Sequence, residues 1–131
     1  MEEYQGTKEK IKELPSFAEM TAEEKKQING FTEEEYAAQE AKFGRRLRMV
    51  TVETDDGRAD FLVIRPSRQH MMLVASKGKD RDYEAANNVL IQNCVVAGDR
   101  NILDEDFAVY STVLQVLQQL TEANQAFFRK A

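Results

Sequence analysis

Chemistry in this 131-residue chain would have to rest on one histidine, one cysteine and a few groups of acids. A Ser-His-acid triad would depend on His70, but an imidazole alone specifies nothing. Its place between Gln69 and Met71, at a helix start, reads as a surface or packed side chain. Cys94 has no Cys-x-x-Cys partner and no histidine nearby in sequence, so zinc binding and thiol redox chemistry lack their ligand spacing. A lone cysteine in a reducing compartment is usually a small buried apolar group. Asp55-Asp56-Gly57 lacks the alternating Asp/Asn ligands and terminal Glu of a calcium loop and reads as a turn. Asp104-Glu105-Asp106 could attract a divalent ion, yet three acids at a helix start are explained by capping and the helix dipole. No glycine-rich phosphate loop occurs. The residues therefore predict no catalytic, cofactor-binding or metal-binding set.

Composition sets the frame for the elements. At 42% apolar and 31% charged residues the chain has a normal folding composition and is long enough for one core. Its apolar runs, such as Phe61 to Ile64 and Met71 to Ala75, are far short of the ~20 residues of a membrane span. The polar start Met1-Glu2-Glu3-Tyr4-Gln5-Gly6 carries no secretory signal pattern, which predicts a cytoplasmic protein. The net charge is −5, and residues 1–44 hold 11 acidic and 6 basic side chains. That balance argues against nucleic acid, whose backbone is bound by clustered Lys and Arg.

The elements follow from caps and periods. Lys8 to Leu14 reads as a helical turn or two, stopped by Pro15. Thr21 with Glu24 and Thr32 with Glu35 have capping-box spacing, predicting helices that end near Asn29-Gly30 and Phe43-Gly44. These bury little, so residues 1 to about 30 are expected to attach loosely. From Arg45 the period becomes two: an apolar alternation through Leu47 and Met49, a turn at Asp55-Asp56-Gly57, and a second run from Ala59 to Ile64 predict a β-hairpin. Ser67 caps a helix over about 68–77 closed by Gly78, and Asp80 caps one over about 81–97 closed by Gly98. A last helix is expected from Asp104 to Arg129, with one stripe of Val109, Val113, Val116, Leu120, Ala123 and Phe127. Phe107, Tyr110, Leu114, Leu117 and Phe128 make a second stripe. Either neighbouring helices cover both, or one faces another molecule. The expected fold is α+β and mainly helical: one hairpin (about 45–65) packed on a bundle of C-terminal helices, behind an acidic segment (1–44) of short helices.

The run Phe61-Leu62-Val63-Ile64-Arg65-Pro66-Ser67-Arg68 is followed by a helical stretch. Next come Ala85-Ala86-Asn87-Asn88-Val89-Leu90-Ile91-Gln92-Asn93-Cys94 and a closing Gly98-Asp99. The whole resembles the tail assembly chaperones of long-tailed bacteriophages and prophages, over roughly residues 58 to 120; the first 44 residues have no counterpart in that pattern. The resemblance implies a non-enzymatic protein of the bacterial host cytoplasm that binds the tape-measure protein, tail-tube subunits or both. It also implies that a longer, frameshifted form can exist, which a slippery run in the nucleotide sequence near Arg129 to Ala131 would reveal.

The task suits a broad apolar helical face. Candidate partner contacts are Tyr110, Leu114 and Leu117 on the second stripe, with Met71 and Met72 as adaptable apolar surface. A homo-oligomer is a further expectation from the breadth of that face. Arg46 and Arg48 share one strand face and could meet an acidic partner, or simply discourage unwanted sheet pairing. The acidic N-terminal segment could fold back over this basic face and be displaced by a partner, in a salt-sensitive way. Two alternatives stand beside this reading. One is a cytoplasmic adaptor or regulatory module pairing through its hairpin edge; the other is a small enzyme using Asp55, Asp56 and Asp60.

Overall fold

The run from Ala59 to Ile64 is apolar at nearly every position because it forms the central strand of a three-stranded antiparallel sheet and is buried on both faces. The computed structural model describes residues 16–122 and 126–131. Strand β1 (Leu47–Thr54) pairs with β2 (Gly57–Ile64) in unbroken register from Leu47 opposite Ile64 to Thr54 opposite Gly57. The predicted hairpin is present, with Asp55 and Asp56 as its two loop residues. A third strand, β3 (Val95–Ala97), lies along the other edge of β2 and places Val63 opposite Val95. The helix expected to reach residue 97 instead ends at Cys94. Val95 and Val96 are β-branched and satisfy the backbone of β2, a larger gain than one more helical turn.

Alternation sorts the sheet into two faces. Val50, Val52, Ala59, Phe61 and Val63 share a core with Leu90, Cys94, Leu103, Val109, Val113 and Leu117 from the C-terminal helices. Leu62, with Leu47 and Met49 beside it, is covered by Phe17 and Phe31. Phe17 in turn stacks on Tyr36, with ring centroids 3.8 Å apart. The described part of the N-terminal third thus folds back over the sheet, but through aromatic packing and not, as expected, over the basic face of the hairpin. Asn29 fastens it. The Asn29 carbonyl accepts from the Asp60 amide at 2.8 Å, its own amide donates to Asp60 Oδ2 at 2.8 Å, and its side chain donates to the Arg58 carbonyl at 2.6 Å.

Both predicted capping boxes are present, starting helices α1 (Ala22–Lys26) and α2 (Glu33–Phe43), and Gly44 closes α2 with φ 57°. The predicted turns at Lys8 to Leu14 lie outside the described residues. Ser67 caps α3 (Arg68–Lys79), which runs through Gly78 instead of stopping there. Helix α4 (Tyr83–Cys94) is capped by Asp82, two residues later than expected, after Arg81 turns the chain at φ 61°. The single long helix expected from Asp104 is two: α5 (Arg100–Glu105) and α6 (Phe107–Gln119). Asp106 makes the break. Its backbone is extended, its amide closes α5 on the Ile102 carbonyl, and its carboxylate accepts from Ala108 and Val109 to start α6. Asp106 therefore caps as the acid cluster predicted, while Asp104 and Glu105 sit in the last turn of the preceding helix. Helix α6 stops at Gln119: the Thr121 hydroxyl donates to the Gln118 carbonyl at 2.6 Å, and Phe127 and Phe128 lie beyond any helix.

Candidate interaction surface

Helix α3 packs on α4, yet no residue of α3 is buried. Met71 and Val74 turn inward against the core, so with 3.6 residues per turn the opposite side carries Gln69, Met72, Leu73 and Ser76. Met72 is 61% exposed and Leu73 50%. Arg68, Lys77 and Lys79 flank this pair, and α3 contains no acidic residue. The surface is a small apolar centre between two basic ends.

The other expected contacts divide. Leu117 is fully buried in the core and drops out of any accessible surface. Tyr110 and Leu114 are half-buried against the same core, because α4 packs beside α6 and covers most of the second stripe. The Tyr110 hydroxyl donates to Asn88 Oδ1 at 3.1 Å, and its pKa is raised by burial and then by Glu84. Met71 is also partly buried, which leaves Met72 as the accessible methionine. Arg46 donates to the Arg65 carbonyl at 2.9 Å, and Arg48 donates to the carbonyls of Arg45 and Leu47. Both guanidiniums tie down the start of β1. Sequence reasoning missed Leu73, which sits outside the paired-methionine pattern and is identified only once the inward side of α3 is known.

The structure also joins two residues that are far apart in sequence. His70 Nδ1 lies 3.5 Å from Cys94 Sγ and accepts the Ser67 amide at 3.1 Å, completing the α3 cap. This pair is not poised as a nucleophile. Cys94 is fully buried, and burial pushes its thiol up to about 11 although Arg46 opposes the shift. Burial, then Arg46, lowers the pKa of His70. Both shifts should appear as stability changes. Protonating His70 removes the acceptor that the Ser67 amide uses, so stability falls as pH drops below the ordinary histidine value of 6.5. The unfolded thiol ionises near 9.0 and the folded one near 11, so stability also falls as pH rises across that interval, by at most about 3 kcal/mol. Urea midpoints across pH for the parent and Cys94→Ala check this: the alkaline decline should flatten in the variant, and native Cys94 should resist thiol reagents until the protein unfolds.

Asp60 is buried against Arg58, away from exposed Asp55 and Asp56 at the hairpin turn, so the structure does not assemble these three acids. Among the described residues no three His, Cys, Asp or Glu side chains gather at metal-binding distance. No helix among them is long and apolar enough to cross a membrane. Comparison of the chain with protein-family models, curated proteins and solved structures returns no match.

Proposed function

We propose that this protein is a non-enzymatic tail assembly chaperone of a phage or prophage, acting in the host cytoplasm on the tape-measure protein, tail-tube subunits or both. The observation that carries the reading is the outer face of α3, where Met72 and Leu73 stand exposed between Arg68 and the Lys77/Lys79 end. Such a face suits a helix with an apolar stripe and acidic flanks: methionine adapts to irregular side chains, and the basic ends set orientation. The resemblance implies a client with long apolar helical stripes, exposed before the tube encloses it. Neither nucleic acid nor a membrane is required.

Co-expression with the tape-measure and tube proteins, followed by affinity capture from each, tests this. The paired Met72→Glu and Leu73→Glu substitutions should reduce capture about tenfold or more, as loss of an interface anchor does, with the thermal midpoint unchanged. Failure to capture either client would sink the chaperone reading. Undiminished capture by the variant would remove α3 as the surface. A second reading is favoured by one observation: β1 is an edge strand of eight residues, open to pairing with a partner strand. An adaptor of that kind would lose its partner on substitution of the exposed Glu53 by Pro and would be indifferent to changes in α3.

A further inference from the structure

At the hairpin end of the molecule lies an open groove of about 480 Å³, within the ordinary size range of binding clefts. Its floor is apolar, with Ala59 and Ile102, and one wall is Phe107, which is 80% exposed. Its rim carries three carboxylates, Asp56, Glu105 and Asp106. One cation, Arg58, also lines it, but that guanidinium is committed to Asp60 at 2.9 Å. The groove therefore suits an aromatic, basic segment.

The chain contains such a segment. Phe127 and Phe128 are 87% and 96% exposed, and Arg129 and Lys130 follow directly. Adjacent aromatics in water mark a contact surface, and two cations beside them complement the acidic rim. The groove opens at the first residue of α6, whereas the segment follows its last. Thirteen residues of helix separate these ends by ~20 Å. After the turn at Thr121 and Glu122, the five steps to Phe127 span at most ~18 Å even fully extended. Filling its own groove would hold a molecule's tail at full extension along the whole of α6, a constraint that a second copy does not face.

We propose that residues 127–130 of one copy dock in the groove of a second copy. Phe127 and Phe128 lie against Phe107 and Ile102, and Arg129 and Lys130 pair with Asp56 and Glu105. Donor segment and acceptor groove are different surfaces at opposite ends of α6, so the contact is heterologous and adds copies in a row. This inference does not rest on the identity of any client.

Sedimentation velocity of the purified chain, across a hundredfold range of concentration, tests it without another protein. Association should grow with concentration and weaken in high salt. A segment variant carrying Phe127→Ser and Phe128→Ser should require about tenfold more protein to associate. A groove variant carrying Asp56→Lys and Glu105→Lys should do the same. Mixing the two variants should restore pairing but stop at dimers, because each supplies the surface that the other lacks. Reversing Arg129 and Lys130 to Glu in the groove variant should restore association. A monomer at every concentration would overturn the proposal, as would association indifferent to the segment or failure of the mixed variants to pair. All substituted positions are exposed, so unchanged circular dichroism is expected throughout.

Discussion

Replacing Asp60 by alanine should cost about 3 kcal/mol or more, as breaking a buried ion pair does. Asp60 is the one fully buried charged residue among the described residues. Its carboxylate accepts from Arg58 Nε at 2.9 Å, from the Thr51 hydroxyl at 2.5 Å and from the Asn29 amide at 2.8 Å. Alanine leaves all three donors without that acceptor. Arg58 is partly exposed and can turn towards water, which holds the cost near the lower end of the range for such pairs; the Asn29 amide and Thr51 have less freedom.

The loss should also have a location. Asn29 is the polar fastening of the N-terminal layer, so residues around Phe17 to Phe31 should exchange their amide hydrogens faster than α6 does. Their release would uncover Leu62, Met49 and Leu47, and binding of an apolar dye should rise before global unfolding. Asp60→Asn keeps one acceptor oxygen and should cost about half as much. A urea midpoint for Asp60→Ala within experimental error of the parent, or uniform exchange across the protein, would refute the fastening. The apolar layer at Phe17 and Phe31 and the outer face of α3 thus have opposite characters: one is already occupied by the chain itself, the other is open.

How much of this was legible depends on the distance over which each cause acts. The capping boxes at Thr21 and Thr32 and the Ser67 cap are decided within four residues, and their spacing alone predicts them. The hairpin is decided within about twenty residues by alternation and a turn. The Asn29 fastening spans 31 positions and leaves no local pattern. Nor does a sequence say that Leu117 is fully buried in the core, although the apolar face of α6 is as broad as its pattern predicts. Asp106 shows the intermediate case. Its capping role was legible, but continuous apolar periodicity on both sides hid the helix break that the cap creates. His70 and Cys94, 24 positions apart, read as unrelated residues until α3 and α4 pack together.

Gly98 combines the two scales, and its replacement should be, with that of Gly30 against the Asp60 carbonyl, one of the two most damaging methyl additions among the described glycines. The sequence marks it as a helix-closing glycine; in the structure it follows β3 with φ 133°. A Cβ there would collide with the ring of Phe61, a fully buried side chain of the central strand. Left-handed backbone strain of about 1–3 kcal/mol adds to overpacking of similar size, so Gly98→Ala should cost about 3 kcal/mol or more. Two other glycines separate these causes. Gly57 has φ 131° with open space around it, so Gly57→Ala should show the conformational cost alone. Gly78, inside α3 with an ordinary φ and open space, should be stabilised by about 0.5–1 kcal/mol on replacement by alanine. Combining Gly98→Ala with Phe61→Leu should recover part of the loss, because the smaller side chain relieves the collision but not the backbone strain. Strict additivity of that pair in urea unfolding would mean that the ring and the turn are not in contact, and the packing account of Gly98 would fail with it.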